Sequence, residues 1–531
     1  MKTVLAAFNA RYSHSSPAVR YLQKYNSRFD IDVFEFSIND SLDSVYKKLL
    51  KSGADVYCFS CYIWNIELIL KTAERLKLAM PNTKIIFGGP ESGYNASYLL
   101  KRYDYIDCII KGEGEYVLGE VLETIKNGKE PERFVSGRCL DLNHAVQPYT
   151  AEDLQKLKGK IIYFETSRGC PFNCSYCLSS AEHGVRYFPM EYVKEGLGLL
   201  MSENVPLVKL VDRTFNSNEE RAIEIIEYII QNSKSTRVHF EIEAEIMSDR
   251  IIEVLNSAPK DLFQLEIGIQ SINQKTLNAV NRRFDAERTK TNILKLMEPH
   301  NMHIHLDLIA GLPYEDYESF THSFDYVYSM KPDMLQLGFL KVLPGTEIER
   351  FRPEIFAASY PPYEVVATKW ITAAEITKLK EVEEAVELYY NSGRFSETIG
   401  VLETLDEFAA SPFRLYELLG RKLSEKSEAG KIKQTGLYDL LYEHFGDSII
   451  FELARDFLRN NKTSPLPYYL TRNMSKSFKK RYTALLTDEE FMTKYKISKD
   501  LKDLRFENIL GRVYVTDYKN KLFYDISEYF E

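Results

Sequence analysis

The stretch SRGCPFNCSYCLSS, residues 167–180, places three cysteines within eight positions: Cys170, Cys174 and Cys177. Thiolate sulfur is a ligand for zinc or for iron–sulfur clusters. A closed zinc site takes four protein ligands, usually Cys or His. No cysteine follows Cys177 anywhere in the chain. The spacing therefore predicts a metal site that lacks a fourth thiolate.

Six β-type runs, alternating with helical patterns, surround this stretch. They are IIYFETS at 161–167, LVKLVD at 207–212, VHFEIEAE at 238–245, LFQLEIGIQS at 262–271, HIHLDLIAG at 303–311 and MLQLGFLKV at 334–342. Six strands with intervening helices predict a partial (β/α) barrel, in which the chemistry gathers at the carboxyl ends of the strands. The three cysteines directly follow the first of these strands, where an active-site loop belongs.

The first 135 residues show a second alternating series. Its β-type runs are TVLAAF at 3–8, DVFEF at 32–36, DVYCFS at 55–60, KIIFGG at 84–89 and DCIIKG at 107–112. Val-, Ile- and Phe-rich strands separated by amphipathic stretches predict a parallel sheet with helices on both faces, a Rossmann-like domain. Ligands of such sheets bind at the carboxyl ends of the strands.

Two kinds of metal site fit the three cysteines. One is a zinc knuckle completed by a nearby histidine such as His183. The other is a 4Fe-4S cluster, in which three irons take the three thiolates and the fourth has no protein ligand. A loop after the first strand of a β/α series is not how zinc knuckles are built, so the context favours the cluster.

The spacing C-x-x-x-C-x-x-C, with Tyr176 before the last cysteine, resembles the signature of the radical S-adenosylmethionine (SAM) superfamily. The resemblance implies that Cys170, Cys174 and Cys177 hold the cluster and that SAM binds the fourth iron through its amino and carboxylate groups. It also implies that an electron from the cluster cleaves SAM to a 5′-deoxyadenosyl radical. An external electron donor, such as flavodoxin or ferredoxin, is then expected.

Three further segments resemble strand ends of the oxygen-independent coproporphyrinogen dehydrogenase branch of this superfamily: EIEAE at 241–245, EIGIQSINQKTLNAVNRR at 266–283 and LDLIAGLPYED at 306–316. By this resemblance, Glu243 and Gln270 hold the ribose and amino acid portions of SAM. Arg282 meets its carboxylate, and Asp307 lies near the adenosyl group. Diols and ammonium groups bind carboxylate or amide acceptors, and a carboxylate binds Arg, so the residue types suit these roles.

The sequence departs from this pattern after the second barrel strand. Many family members have Gly-Gly-Glu there, whereas this chain has VDRTFN at 211–216. Asp212 or Asn216 takes over the contact with the SAM ammonium group in one interpretation. In the other, both are turn or cap residues, since Asp and Asn are common at such positions.

Four segments of the first domain, each directly after a predicted strand, resemble the cobalamin-binding domain of one large radical SAM subclass. They are NARYSHSS at 9–16, FSCYIWN at 59–65, FGGPESGY at 87–94 and KGEGE at 111–115. The implied cobalamin contacts are Ser60, Tyr62, Trp64, Asn65, Gly88, Gly89, Gly112 and Gly114. By the resemblance, Gly88 and Gly89 allow close backbone approach to the nucleotide tail, and Ser60 hydrogen-bonds to it. Tyr62, Trp64 and Asn65 approach the corrin face, and Gly112 and Gly114 form the next loop. The alternative is a Rossmann-like sheet without cofactor, in which such Gly pairs are turns.

No D-x-H-x-x-G motif is present, so the resemblance implies a corrinoid without a histidine ligand to cobalt. His14 is too close to the first strand to be taken as a substitute ligand. The four cysteines before the cluster motif, Cys58, Cys61, Cys108 and Cys139, are predicted as core thiols, which gives one cluster per chain.

The pattern changes after about residue 350. Residues 372–390 have helical periodicity, and two tyrosine-rich runs predict a closing β-hairpin about Lys519 and Asn520. We therefore predict a cobalamin-binding domain over 1–135, a linker over 136–160, a barrel over 161–350 and a mostly helical extension over 351–531. The basic segment 472–482 is either a solvated helix face or a site for RNA or a protein partner.

Composition and charge bound the remaining options. The chain has 531 residues, a net charge of −9 and 44% hydrophobic residues, which is typical of a globular protein of several domains. The acidic balance argues against general nucleic-acid binding. Apolar runs are too short for a membrane span or a signal peptide, so we expect a cytoplasmic protein.

These observations predict a cobalamin-dependent radical SAM enzyme that methylates an unactivated carbon, on a substrate that the motifs do not specify. A second hypothesis uses the same cofactors for cyclisation or rearrangement without methyl transfer. A third makes the C-terminal region the site that binds an RNA or protein, which the barrel then modifies.

Overall fold

The computed structural model describes residues 1–181, 184–427, 432–470 and 476–530. His183 and residues 472–475 of the basic segment lie outside the described residues. The chain divides into two compact units, Met1–Asp333 with Leu337–Ala373 and Met334–Gln336 with Ala374–Glu531. The N-terminal sheet and nearly all of the barrel belong to the first unit.

The N-terminal sheet has six parallel strands in the order β2-β1-β3-β4-β5-β6. They are β1 (Lys2–Asn9), β2 (Asp30–Ser37), β3 (Val56–Ser60), β4 (Lys84–Gly88), β5 (Cys108–Lys111) and β6 (Phe134–Ser136). Its helices are α1 (Pro17–Tyr25), α2 (Leu42–Ser52), α3 (Ile66–Ala79), α4 (Pro90–Tyr94), α5 (Ala96–Arg102) and α6 (Glu115–Lys126). All five predicted strands are present, and the short edge strand β6 was not predicted.

Alternating side chains bury both faces of this sheet. On β4, Ile85 and Phe87 join one apolar core, and Ile86 between them joins the core on the other face. Burial of both faces is what makes strands of a parallel sheet read as continuous apolar runs. The Rossmann-like fold is therefore confirmed.

The second large sheet has the strand order β14-β13-β12-β11-β10-β7, with parallel pairing from β7 to β13. Its strands are β7 (Ile162–Phe164), β10 (Leu207–Leu210), β11 (Arg237–Ile242), β12 (Phe263–Gln270), β13 (His303–Ala310) and β14 (Met334–Phe339). The helices of this region are α7 (Ala151–Lys156), α8 (Met190–Ser202), α9 (Glu219–Asn232), α10 (Asp249–Asn256), α11 (Gln274–Ala279), α12 (Ala286–Met297) and α13 (Tyr317–Tyr328). The predicted series of β/α units is confirmed.

Strand β13 shows how the barrel strands divide their two faces. Ile304, Leu306 and Leu308 are fully buried, whereas the polar residues between them are half-buried. In a β/α barrel the apolar positions pack against the helices, and the alternate positions point inward. The inward face of β13 is therefore polar from His303 to Asp307.

A small antiparallel hairpin carries the cysteine loop, and the sequence did not predict it. Its strands are β8 (Ser167–Cys170) and β9 (Gly184–Tyr187). Gly169 has φ of +93°, and a Cβ on it would lie 2.1 Å from the carbonyl oxygen of Gly184. Only glycine fits this close approach of the two strands. A second hairpin of the first unit pairs β15 (Ile355–Ala357) with β16 (Val365–Thr368).

The second unit is mainly helical. Its helices are α14 (Ala373–Ala385), which continues as a π-helix (Val386–Asn391), α15 (Ser396–Leu402), α16 (Asp406–Ala409), α17 (Phe413–Ser427), α18 (Gly436–Phe445), α19 (Ile450–Asn460), α20 (Lys476–Leu485) and α21 (Glu489–Tyr495). The predicted closing hairpin is present as β18 (Arg512–Asp517) and β19 (Leu522–Asp525), and β17 (Leu504–Ile509) adds a third strand that was not predicted. Short 3-10 helices occur in both units and cover Leu142–His144, Leu178–Ala181, Phe215–Ser217, Glu347–Phe351, Gly446–Ile449, Leu501–Asp503 and Ser527–Tyr529. Among the described residues, no helix is both long enough and apolar enough to span a bilayer.

Three of the four cysteines outside the cluster motif are buried, as predicted: Cys58, Cys61 and Cys108. Burial raises the pKa of each of these thiols, which keeps them protonated. Cys139 is exposed, so its prediction as a core thiol was wrong. It lies in the connector after β6, where the adjacent Leu140 is the side chain that is buried.

Candidate functional site

The three motif cysteines lie on one loop that begins at the end of β8. Cys170 Sγ is 3.5 Å from Thr214 Oγ1, and Arg282 Nη1 donates to Cys174 Sγ at 3.8 Å. The loop is held at its centre because the N–H of Ser175 donates to the carbonyl oxygen of Val280 at 3.0 Å. Burial raises the pKa of the Cys170 thiol, and the two neighbouring motif cysteines raise it further.

This donor set fits an iron–sulfur cluster. Adjacent thiolates repel each other, so a compensating cation favours their ionised form. Within the described residues, no three His, Cys, Asp or Glu side chains are placed to hold one metal ion. A 4Fe-4S cluster does not require three side chains around one metal ion, since each thiolate binds its own iron. The assignment of Cys170, Cys174 and Cys177 as cluster ligands remains a prediction.

Next to Cys174, the predicted SAM residues Arg282 and Glu243 form a buried ion pair with an Nη2–Oε2 distance of 2.8 Å. Arg282 also donates to the carbonyl oxygen of Gly268. Burial lowers the pKa of the guanidinium, but Glu243, Tyr176 and Cys174 outweigh it and raise the pKa. The structure thus brings the cysteine loop and these two residues together.

Asn216 fixes the position of Glu243. Its Nδ2 donates to the carbonyl oxygen of Glu243 at 2.8 Å, and its Oδ1 accepts from the Glu243 N–H at 2.9 Å. Asp212 is 1% exposed and accepts from the Thr166 N–H at 2.9 Å and from Ser167 Oγ at 2.6 Å. Both side chains are therefore engaged in holding loops. This geometry favours the turn-residue interpretation, and their contact with the SAM ammonium group remains a prediction.

Gln270 and Asp307 each carry a buried oxygen without a hydrogen-bond partner in the described structure, Gln270 Oε1 and Asp307 Oδ1. Gln270 has φ of +69°, which is uncommon for a residue other than Gly, Asn or Asp. Burial and the carboxyls of Glu266 and Glu241 raise the pKa of Asp307 well above its usual range. Buried acceptors normally have partners, so these oxygens fit a bound polar cofactor such as SAM.

A cavity of about 450 Å³ lies at the carboxyl ends of the N-terminal strands. The small strand-end residues Ser60, Gly88 and Gly112 line it, together with α1 and the start of α6. Gly88 lies two residues after Ile86, on the face that packs against these helices. A Cβ on Gly88 would have only one neighbour within 4 Å, the Ile110 carbonyl oxygen at 3.9 Å. A larger side chain at this position would project into the cavity.

Position 89 requires glycine for a reason other than the close approach to a nucleotide tail that the sequence suggested. A Cβ on Gly89 would lie 2.6 Å from the carbonyl oxygen of Cys61, and its φ is +97°. The close approach is therefore to the chain itself. Gly114 caps α6, and a Cβ there would be 3.3 Å from Leu22. Both glycines line the cavity, which fits the cradle expected for a nucleotide tail.

The loop after β3 presents aromatic rings. Tyr62 and Trp64 stack with a centroid distance of 4.4 Å, and Trp64 is 46% exposed. Asn65 is buried, and its amide bonds to the backbone of Tyr62, Ser60 and Phe8. These hydrogen bonds identify Asn65 as the residue that holds the loop, while the contacts of all three residues with a corrin remain predictions.

Arg168 joins the cavity to the cysteine loop, and the sequence analysis missed it. Its guanidinium lies 2.7 Å from Glu115, 2.9 Å from Glu165 and 3.0 Å from Glu113. Burial lowers the pKa of Arg168, but these three carboxylates raise it further than burial lowers it. Glu113 and Glu115 flank Gly114, and Arg168 stands two residues before Cys170. A charged residue inside an active-site loop was the available signal, but two of its three partners, Glu113 and Glu115, lie more than 50 positions away.

His14 has a partner in the barrel. Its Nδ1 lies 3.0 Å from the Tyr163 hydroxyl, and burial lowers its pKa. None of the described residues that line the cavity is a histidine. His14 is thus not placed among the residues predicted to hold the corrinoid.

Family models match three consecutive parts of the chain. Residues 4–122 match the B12 binding domain, residues 164–327 match the radical SAM superfamily, and residues 354–528 match a protein family of unknown function, DUF4080. These matches and the fold define a radical SAM protein with an N-terminal B12-binding domain. The chain thus combines a B12-binding domain with a radical SAM domain and carries a DUF4080 region at its C-terminal side. Cobalamin, a 4Fe-4S cluster and SAM, the predicted cofactors, are those of the two matched domain families.

Relatives and solved structures agree with this placement. The cobalamin-dependent radical SAM methyltransferase TokK of Streptomyces tokunonensis is 25% identical over 303 residues, which cover 50% of this chain and 44% of TokK. The chain thus spans about half the length of this curated relative. OxsB, a cobalamin-dependent SAM radical enzyme solved with aqua-cobalamin and SAM, has a TM-score of 0.59 and 14% identity, covering 90% of this chain and 82% of OxsB. TsrM of Kitasatospora setae, a radical SAM methyltransferase solved with cobalamin and a [4Fe-4S] cluster, has a TM-score of 0.55 and 14% identity, covering 68% and 79%.

The Arg282–Glu243 pair gives a first prediction. In Arg282→Lys the planar two-pronged donor is lost, so we expect SAM affinity to fall by about 1.5–3 kcal/mol. Equilibrium binding of SAM to the reconstituted protein measures this. The neighbouring exposed Arg283→Lys is the matched control and should bind SAM normally. Unchanged affinity in Arg282→Lys would show that Arg282 is a structural partner of Glu243 only.

Proposed function

We propose that the protein is a cobalamin-dependent radical SAM enzyme that methylates an unactivated carbon. The observation that supports this most directly is the shared wall between the two candidate sites. Ser167, Arg168 and Gly169 line the cavity of the B12-binding domain and immediately precede the cluster ligand Cys170. The methyltransferase name of TokK supports methyl transfer as the outcome.

In this proposal the chain's own residues bind and orient the cofactors. Cys170, Cys174 and Cys177 hold the cluster, and Arg282 with Glu243 receives the carboxylate and the amino acid portion of SAM. The cluster with SAM would supply a carbon-centred radical, and cobalamin would supply the methyl group. Arg168 keeps the cysteine loop against the loop of Glu113 and Glu115, so that both sites keep a fixed separation. An external reductant such as flavodoxin or ferredoxin is part of the proposal.

Product analysis tests methyl transfer against its rival. Reconstituted protein with cobalamin, SAM and reductant is incubated with metabolite extract from cells that lack the gene. We expect both 5′-deoxyadenosine and S-adenosylhomocysteine to form, because methyl transfer consumes a second SAM to renew the methyl group. Substrate-dependent 5′-deoxyadenosine without S-adenosylhomocysteine would instead support cyclisation or rearrangement.

A further inference from the structure

The inside of the barrel carries a group of titratable side chains that neither the cluster nor the predicted SAM contacts use. We call it the lumen cluster; its members are Lys209, His239, Glu241, Glu266, His303 and His305. Strand pairing aligns Glu241 with Glu266, and Glu266 with His305, across three adjacent strands. Glu241 precedes Glu243 by two residues on the same face, so it lies roughly 7 Å deeper along the strand than that predicted SAM residue.

Contacts between members hold the lumen cluster together. His239 Nε2 lies 3.0 Å from Glu266 Oε2, and the rings of His303 and His305 are 4.6 Å apart. The Glu266 side chain keeps 29% of its exposure, so the cluster is reachable from solvent. The inward-facing residues alongside the lumen cluster, from His239 on β11 to Asp307 on β13, include no aliphatic side chain. Ile309, the next position on this face of β13, is the first aliphatic side chain, so the surface around the lumen cluster itself is polar.

Several buried atoms of the lumen cluster have no hydrogen-bond partner within the described structure. They are His239 Nδ1, His303 Nδ1 and His305 Nε2. His239 is only 2% exposed, so water does not freely satisfy it. Orphaned polar atoms are rare in protein interiors because a buried donor or acceptor without a partner is destabilising. Their concentration in one lumen indicates a place for a ligand that makes several hydrogen bonds.

The charges of the lumen indicate what kind of ligand this is. His239 hydrogen-bonds to Glu266 and lowers the pKa of the Glu266 carboxyl. Glu241 has no cation within 4 Å among the described residues. Burial raises the pKa of Glu241 to about 7; Arg213 has the next largest effect and lowers it, as does Lys209, whereas Glu266 and Asp212 raise it. Glu241 thus lacks a close positive partner, and a cationic group of a ligand would supply one.

We propose that the lumen cluster binds the amino group of a polar, amine-bearing substrate, with Glu241 as the residue that receives the ammonium ion. The inference rests on the proposed function only in that the ligand is the enzyme's substrate. The imidazoles of His239 and His305 hydrogen-bond to the polar body of the ligand. Glu241 is a specificity-determining residue in this assignment, distinct from the predicted SAM residues.

The test measures equilibrium binding of defined probes to the reconstituted holoenzyme without reductant, by saturation-transfer NMR. The probes are 1,3-diaminopropane, 3-aminopropan-1-ol, propane-1,3-diol and glutarate. We expect the two amines to bind and the diol and the dicarboxylate not to bind. Glu241→Gln should weaken amine binding at least tenfold, whereas the exposed Glu253→Gln should leave it unchanged. Equal amine binding in Glu241→Gln, or preferred binding of glutarate, would overturn the proposal.

A pH series on the unmodified protein provides a second measurement that does not depend on how the variant folds. Between pH 6 and pH 8 the amines stay protonated while Glu241 ionises, so affinity should rise about tenfold. The charged groups that act on Glu241 are the carboxyls of Glu266, Asp212 and Asp307 and the cations of Lys209 and Arg213; burial raises the pKa of Asp307, and the hydrogen bond from His239 lowers that of Glu266. A flat profile would count against Glu241. Because no turnover is involved, amine binding without methylation would contradict the proposed function alone.

Discussion

Cys174→Ala is expected to lose the 4Fe-4S cluster and all formation of 5′-deoxyadenosine. Cys174 is the most buried of the three motif thiols, at 8% exposure, and its sulfur also accepts a hydrogen bond from Arg282. Alanine removes one of three thiolates, and the remaining two leave a second iron without a protein ligand. Iron and sulfide analysis after anaerobic reconstitution, together with the visible absorbance of the cluster, measures the result.

The exposed Cys139 provides the matched control for that experiment. Cys139→Ala also removes one thiol, but we expect full cluster content and normal 5′-deoxyadenosine formation. Unchanged iron and sulfide in Cys174→Ala would refute the cluster assignment. Because Cys58, Cys61 and Cys108 are buried in the N-terminal sheet, we also expect about four irons per chain in the unmodified protein. A content near eight would require a second cluster that these cysteines do not provide.

The regular part of the fold could be predicted because its signal is local. Runs of Val, Ile and Phe mark strands that are buried on both faces, and every predicted parallel strand is present. The edge strand β6 was missed since Phe134–Ser136 is only three residues long and partly exposed. The hairpin of β8 and β9 was missed for another reason. Ser167–Cys170 is polar, and its pairing partner begins 14 residues later, beyond the cysteine loop.

The three cysteines were singled out by their spacing and Arg282 by the resemblance of its segment to a known family, and these assignments remain predictions. The candidate site was not predicted where the role depends on a distant contact. Arg168 gains its importance from Glu113 and Glu115, and the lumen cluster exists only because adjacent strands align Glu241, Glu266 and His305. Such alignments depend on the register between neighbouring strands, which could not be derived from this sequence alone.

The contacts seen in the structure also changed the interpretation of individual residues. The family resemblance implied that Asn65 approaches the corrin, and the sequence left Asn216 open between a contact with SAM and a turn or cap role. The side-chain amides of both residues hydrogen-bond to the backbone, that of Asn65 to the loop after β3 and that of Asn216 to Glu243. A side-chain amide can make either kind of hydrogen bond, so residue type did not decide between the two.

Gly88→Leu is expected to abolish the retention of cobalamin while the protein still folds. Gly88 lines the cavity of about 450 Å³ and its Cβ position is open, so a leucine side chain would occupy the space without meeting the backbone closely. Gly88→Ala adds only one methyl group and should retain the cofactor. Purified protein is mixed with hydroxocobalamin and desalted, and the bound corrinoid is measured from its visible spectrum.

The position of Gly88 makes this test sharper than one at the adjacent glycine. A Cβ on Gly89 would meet the Cys61 carbonyl oxygen, so Gly89→Val would disturb the sheet whether or not cobalamin binds there. Stoichiometric retention by Gly88→Leu would remove the cavity from consideration as the cobalamin site. Loss of cobalamin in Gly88→Ala as well, with the thermal midpoint unchanged, would mean that the cofactor contacts the Gly88 backbone itself. Loss in the leucine variant alone would assign the cavity to the nucleotide tail, because only the leucine side chain is large enough to fill it.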